Sequence, residues 1–244
     1  MATRGKLIAL EGIDGSGKRT QLDLLARALD TRGFSTFRIS FPRYESFFGE
    51  LVGRYLNGEF GPLEAVDPHL SAMLYAGDRL EAKPEIEAAL SSGKIVLADR
   101  YIASNMAHQS ERVQNDRREE FLAWLKRLEY GLYGLPVEAL VIYLRVPVAE
   151  AHRLIGQKSA RAYTSLKRDI QEADMKHLKQ TAIIYDRLAT EANWVRIECS
   201  NASSGALHSP EEIHRNVLQA VETRVLSQAS PVPGEDTLKR KMSQ

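Results

Sequence analysis

Three groups of residues have types and spacing suited to handling phosphate. They are the run Gly12-Ile13-Asp14-Gly15-Ser16-Gly17-Lys18-Arg19-Thr20, Arg43 within Phe41-Pro42-Arg43-Tyr44, and Arg100 within Asp99-Arg100-Tyr101. In the first, glycines let the chain curl so that successive amides point inward, and Lys18 brings a mobile cation to β- and γ-phosphates. The apolar run Lys6–Leu10, ending at Glu11, precedes it, and Gln21–Leu29, apolar at helical spacing, follows. A glycine loop between a strand and a helix N-terminus is the context a phosphate-binding loop requires. The residue after the lysine departs from that pattern. A magnesium-binding hydroxyl is expected there; Arg19 occupies the place and Thr20 comes one residue later, about 100° further round the helix. Either the metal is held mainly by carboxylates, with Asp14 and Asp99 nearest, or Arg19 adds charge to a triphosphate site, or Arg19 is a solvated first-turn residue.

Further candidates follow in chain order. Arg43 stands where a second strand ends, the rim at which open α/β sheets bind ligands; Phe41 and Tyr44 there can line a base or sugar pocket, or simply pack a loop. Tyr75 and Arg79 lie four apart on a helix and share a face. They can stack on and hydrogen-bond a planar base, or be a core tyrosine beside an exposed arginine. Asp99 ends the apolar run Lys94–Ala98 and suits a metal; Arg100 beside it suits an acceptor phosphate. Ser104, Asn105, His108 and Gln109 fall on related helical turns. No second histidine or cysteine stands at metal-site spacing from His108, which argues against its being a ligand. The small, polar and basic stretch at about 155–168, with Lys158, Arg161, Lys167 and Arg168, reads as a lid over nucleotide phosphates or as a solvated basic helix. Asp169 and Glu172, at i and i+3, can touch a metal or sugar hydroxyl, or pair with that basic stretch.

Positioning these groups requires an alternation of strands and helices. Strands are expected at 6–10, 34–39, 94–98, 139–146 and 194–199. Helices are expected after the glycine loop, over 46–58, from Asp67-Pro68, again from Lys83-Pro84, over 121–130, over 148–154, over 177–190 and from Ser209 to about 226. Arg112–Arg118 reads as a solvated turn and helix start. The chain has 244 residues, 43% hydrophobic and 27% charged, with net charge +1; this suits one α/β domain over residues 1–226 and marks neither a nucleic-acid nor a membrane surface. The single cysteine, Cys199, allows no internal disulfide and fits a reducing cytoplasm. No signal peptide or run of about 18–20 apolar residues is seen. From Ser227 to 244 the composition reads as a flexible tail, and its Lys239-Arg240-Lys241 cluster as a solvated terminus.

Taken together, Glu11-Gly-x-Asp-Gly-Ser-Gly-Lys18, Phe41-Pro-Arg-Tyr44, Asp78-Arg79 and Asp99-Arg-Tyr-x-x-Ser-Asn105 make the chain similar to thymidylate kinases, up to about residue 226. The resemblance implies an α/β, P-loop three-layer sandwich with a five-stranded parallel sheet and helices on both faces. It also implies a homodimer and transfer of the ATP γ-phosphoryl group to dTMP with Mg2+. By resemblance, Lys18 and the loop amides bind the donor, and Asp14 approaches the acceptor. Arg43 and Arg100 hold the dTMP phosphate, Tyr75 stacks on thymine, Arg79 bonds a base carbonyl, and Ser104 and Asn105 lie near the base edge. Asp169 and Glu172 match an acidic pair near sugar and metal. Some bacterial members also carry Lys-Arg as at 18–19. Two departures stand out: His108 replaces a common tyrosine beside the deoxyribose, and the loop lacks an arginine before Gly17, so the lid, through Arg161 and Lys158, must supply that charge. The competing readings are a deoxynucleoside kinase, which would not need Arg43 and Arg100, and a nucleotide-binding module that has lost catalysis.

Overall fold

The computed structural model describes residues 4–156, 175–201 and 203–228. Five strands form its sheet: β1 (Leu7–Glu11), β2 (Thr36–Ser40), β3 (Ile95–Asp99), β4 (Leu140–Arg145) and β5 (Trp194–Glu198). All pairings are parallel, in the order β2-β3-β1-β4-β5. β1 is buried along its whole length and β4 at all but its last residue. Strands with no solvated face need helices on both sides, and this is why they read as continuous apolar runs rather than alternating ones.

The helices are α1 (Lys18–Thr31), α2 (Phe47–Leu56), α3 (Pro68–Ser91), α4 (Ile102–Ser110), α5 (Arg118–Lys126), α6 (Val148–Ile155), α7 (Met175–Leu188) and α8 (Pro210–Arg224). α1 packs on α8, whereas α4 packs on α3, α5 and α7. The start signals read from sequence are realised. Asp67 accepts from the His69 amide at 2.7 Å with Pro68 at the first helical position, and Ser209 and Glu212 form a complete capping box.

Three expectations are corrected. No new helix begins at Lys83-Pro84; α3 runs through with Pro84 inside it. Proline removes the hydrogen bond to the carbonyl of residue 80, and Leu80 lies on the exposed side, where water can serve that carbonyl. The helix expected to reach Tyr130 stops at Lys126 and widens into a π-helical turn over Arg127–Leu132, which exposes Leu132 and buries Glu129. Arg112 is not solvated: it is half-buried and donates to the Leu63 carbonyl at 2.5 Å, the Ser71 hydroxyl at 2.9 Å and Gln109 Oε1 at 3.0 Å.

The sheet's register brings the site together. Asp99 pairs with Leu10 on one side and Ser40 on the other, so the carboxyl ends of β1, β2 and β3 are level. The loops that follow therefore meet at one edge, and β1 has neighbours on opposite sides, the switch point at which such sheets bind ligands. Most of the expected lid at 155–168, with Arg161 and Lys158, lies outside the described residues, as do Asp169 and Glu172 and nearly all of the tail at 227–244.

Candidate active site

A cleft of about 540 Å3 opens at that edge. Asp14, Lys18, Arg19 and Thr20 line it from the loop after β1, Phe41, Arg43 and Tyr44 from the loop after β2, and Asp99 and Arg100 from the end of β3. Tyr75 and Arg79 of α3 and Ser104, Asn105 and His108 of α4 complete it.

The glycine loop turns as its composition requires. Gly12, Gly15 and Gly17 have φ of 143°, 82° and 83°, values that exclude ordinary side chains. A Cβ at Gly15 would stand 2.2 Å from the Ala151 carbonyl oxygen, so the loop also depends on α6. Ile13 packs its side chain into the core, leaving its backbone for the loop, and Ser16 is buried. Lys18 folds back over the loop, donating to the Gly12 and Ile13 carbonyls at 2.9 and 3.0 Å. Its charge is thereby held at the concavity of the amides. Arg19 projects outward, 76% exposed, and pairs with Asp23 at 3.5 Å on the next turn of α1. This matches the solvated first-turn reading, although the residue also borders the cleft mouth.

Arg100 occupies the junction of loop, sheet and α4. Its φ of 68° is left-handed, which costs a non-glycine residue of order 1 kcal/mol and is sustained by an amide bond of 3.0 Å to the Leu10 carbonyl. Nη2 donates to Asp14 Oδ1 at 2.7 Å, and Nη1 donates to Ser104 Oγ at 3.0 Å. Burial opposes the guanidinium's charge, but Asp14, Tyr185, Glu11 and Asp99 more than offset it, and the group is held firmly cationic.

Beneath Arg100 lies Glu11, fully buried at the end of β1. It accepts from the Tyr101 amide at 2.7 Å, the Ser104 hydroxyl at 2.6 Å and the Tyr185 hydroxyl at 2.8 Å. The carboxylate thus serves the N-terminus of α4 and fixes Ser104, whose hydroxyl oxygen in turn accepts from Arg100. Ser104, expected near a base edge, is committed to this support.

Arg43 is pinned by Asp78 of α3. Its amide and Nε donate to the two carboxylate oxygens at 2.8 and 3.0 Å, and Nη2 donates to the Asp78 carbonyl at 3.2 Å. Arg79 faces inward rather than outward, bidentate to Glu129 at 2.5 and 2.7 Å through Nε and Nη2; Nη1 is the part of its fork that Glu129 does not engage. Asn105 Nδ2 donates to the same carboxylate at 2.8 Å and to the Ala72 carbonyl at 3.0 Å, while its buried Oδ1 has no partner among the described residues. Tyr75 meets Tyr55 edge-on at 6.4 Å, and Phe41 lies against Tyr101 at 6.0 Å. His108 is buried behind Arg100; burial, then the nearby guanidinium, holds its imidazole well below the usual histidine range and therefore neutral.

The residues that sequence reasoning passed over are the supports: Glu11, Asp78 as an anchor, Glu129, Tyr185, Glu111 and His177. Two had a signal. Glu11 directly follows a wholly apolar strand, and Glu129 stands four residues after Leu125, on the apolar face of its helix. A carboxylate in either place must be buried and must find donors.

Among the described residues no group of three or more histidine, cysteine or acidic side chains is placed to hold a metal. Magnesium does not need one. It keeps several waters and is held by one or two carboxylates together with substrate phosphates, and Asp14 and Asp99 both border the cleft beside the loop.

Comparison with known proteins is consistent with this geometry. The family model described as thymidylate kinase matches residues 10–210. The chain is 33% identical over 189 residues to a Mycobacterium tuberculosis protein named thymidylate kinase, covering 76% of this chain and 86% of that one. It is 30% identical over 228 residues to a probable thymidylate kinase of Thermococcus gammatolerans, covering 91% and 99%. In fold it is similar to the solved thymidylate kinase of Candida albicans, with a TM-score of 0.71 at 19% identity, over 91% of this chain and 93% of that one.

Proposed function

The chain belongs to the thymidylate kinase family and phosphorylates dTMP at the expense of ATP, and we propose the following division of labour among its residues. The observation that carries it is the 2.7 Å pair between Asp14 of the glycine loop and Arg100, the residue after β3. That pair joins a triphosphate-binding loop to a wall bearing a second arginine, Arg43, within one cleft. A reaction between two phosphorylated substrates needs two such walls meeting at one point.

Lys18 and the amides of Gly12–Thr20 hold the ATP phosphates. Arg43 and Arg100 take the dTMP phosphate and, with Lys18, neutralise charge as it spreads over the transferring group. Phosphoryl transfer needs alignment and charge more than a strong base. Asp78 and Glu11 keep the two arginines in place without touching substrate. Asp14 and Asp99, which border the cleft, would hold Mg2+, with Asp169 and Glu172, outside the described residues, as the further carboxylates the sequence offers; bound there, the ion would add positive charge against the phosphates. Arg161, in the basic stretch at about 155–168 that the sequence suggests as a lid, would add charge to the transferring group.

Phe41 and Tyr75, both lining the cleft, would contact the thymine ring. Its N3 carries a hydrogen, and Asn105 Oδ1, buried and without a partner among the described residues, becomes its acceptor once the side chain turns toward the cleft; cytosine, with a bare N3, would leave two acceptors opposed. Arg79 Nη1 is available to a base carbonyl. Tyr44 and His108 border the sugar side.

We also propose a homodimer. Leu70, Met73 and Leu80 of α3 are exposed at helical spacing and continue into exposed Phe47 of α2. α2 crosses α3 closely at Gly77, where a Cβ would stand 2.4 Å from the Phe48 ring, so the two helices present one apolar face. No helix among the described residues is long and apolar enough to cross a membrane. The cytoplasm, where both nucleotides are supplied, is the proposed location, and the free, buried Cys199 suits it.

The test is a coupled transfer assay with ATP and magnesium, offering dTMP, dUMP, UMP, dCMP and thymidine in parallel. Preference for dTMP is the expected result. Turnover of thymidine would move the protein to the nucleoside kinases, and ATP binding without turnover of any acceptor would make it a module that has lost catalysis.

A further inference from the structure

We propose that His177 and Glu111 are positioning residues for Arg100, acting through His108 by a hydrogen-bond chain that can run in one direction only. Arg100 Nη1 lies 3.2 Å from His108 Nε2. A guanidinium only donates, so Nε2 accepts and the ring carries its hydrogen on Nδ1. That Nδ1 lies 3.2 Å from His177 Nε2, to which it donates. His177 therefore carries its own hydrogen on Nδ1, where Glu111 Oε1 accepts it. A cation at one end and a carboxylate at the other set the tautomer of both rings.

The chain joins three elements. Arg100 follows β3, His108 lies on α4 with Glu111 at its C-terminal cap, and His177 lies on α7. Both rings are buried, His177 at 1% exposure, and they meet at 5.4 Å between centroids. Besides one another, the charged and titratable groups acting on His108 are Arg100, Asp14 and Lys18 from the cleft side, and Tyr185 of α7, whose ring meets it edge-on at 6.1 Å.

Two buried histidines need only satisfy each other to be stable. What gives this pair a further role is its terminus. Asp14 takes Nη2 of Arg100 from the loop side, whereas Nη1 is shared by Ser104 at 3.0 Å and His108 at 3.2 Å on the helix side, with the Gly12 carbonyl at 3.5 Å. Through His108, α7 thus contributes to the twist of the guanidinium about its own axis. An arginine that meets a phosphate through two parallel bonds is sensitive to that twist. With His108 in the other tautomer, an N–H would face an N–H, and Nη1 would be pushed from its place beside Ser104 with only the hydroxyl and the Gly12 carbonyl left to hold it.

The proposal rests on the reading that Arg100 holds the dTMP phosphate, and its test separates the two. In the full-length protein, His177→Phe removes the acceptor for His108, whereas His177→Gln offers an amide oxygen to His108 and an amide hydrogen to Glu111. The expected result for His177→Phe is a KM for dTMP raised about tenfold with ATP affinity by calorimetry within about twofold, and for His177→Gln recovery to within about threefold of the parent. Nitrogen-15 spectra of histidine-labelled protein should show both rings with a hydrogen on Nδ1 and Nε2 bare. Should His177→Phe fail to fold, Glu111→Ala is the second variant. Its expected signature is appearance of the Nε2–H form at His177 together with a raised KM for dTMP. An unchanged KM in both the phenylalanine and the alanine variant, equal losses for phenylalanine and glutamine, or an Nε2–H tautomer at His108 in the parent would each overturn the chain. If the parent does not use dTMP at all, the functional reading fails, and the tautomers still decide whether the chain exists.

Discussion

Arg79 and Glu129 form a two-bond ion pair wholly inside the protein, with side chains 2% and 0% exposed. The pair ties α3 to the π-helical turn after α5 and supports the wall of the nucleotide cleft. Asn105 joins it through a third bond to the same carboxylate. Removing one partner strands the other charge away from water, which costs about 3–5 kcal/mol. Glu129→Ala should therefore lower Tm by about 10 °C and raise the KM for dTMP, while replacing both residues by leucine should recover most of the stability and none of the substrate affinity. Differential scanning calorimetry beside steady-state kinetics checks this.

Lys18→Ala should reduce kcat at least about a thousandfold, because it removes the cation at the donor phosphates. The truncation leaves the glycine conformations intact, and Tm should move by less than about 3 °C. Near-normal turnover in a folded variant would exclude Lys18 from the chemistry.

Arg100→Ala should raise the KM for dTMP about a hundredfold and alter ATP affinity only a few-fold, since it touches the loop only at its edge, through the Asp14 carboxylate at 2.7 Å and the Gly12 carbonyl at 3.5 Å. Isothermal titration with each nucleotide separates the two effects. Equal losses would place Arg100 on the donor side.

Glu138, just before β4, predicts a pH dependence of stability. Burial drives its carboxyl from the ordinary 4.5 up to about 7, against a 2.7 Å bond donated by the Tyr130 hydroxyl. Between those values the native state holds the proton that the unfolded chain has released. Stability therefore falls as pH rises through this window and stays lowered above about 7. Glu138→Gln removes the penalty, so its gain over the parent should be near zero at pH 4.5 and grow to about 3 kcal/mol at pH 8. His108, held neutral, acts in the opposite sense as pH falls below its ordinary 6.5, equally in parent and variant, so the difference isolates Glu138. Urea unfolding at a series of pH values measures it.

Leu80→Glu places a charge in the apolar face of α2 and α3. The expected outcome is conversion of dimer to monomer in sedimentation equilibrium with secondary structure by circular dichroism unchanged. A parent that is already monomeric at micromolar concentration would remove the dimer from the proposal.

Much of the framework was readable without coordinates because its signals are local. A glycine loop can form only where φ is positive, a fully covered strand must be apolar throughout, and Asp67-Pro68 and Ser209–Glu212 announce helix starts within a few residues. The cations of the cleft were readable for the same reason: Lys18, Arg43 and Arg100 follow strands β1, β2 and β3, and parallel strands put their carboxyl ends on one side. Pro84 shows the limit. Its local signal says break, yet α3 continues because packing along the helix outweighs one lost hydrogen bond.

By itself the sequence determined the loop, the strand order of appearance, the cations and the aromatic residues of the cleft, since each depends on neighbours within one element. Only the tertiary structure decided which partners those cations have. Arg43 with Asp78, Arg79 with Glu129, Arg100 with Asp14, and the imidazoles of His108 and His177 are pairs between separate elements. Their choice follows from burial: a charge taken out of water must find its counterpart wherever the fold brings one, and distance along the chain does not enter that energy.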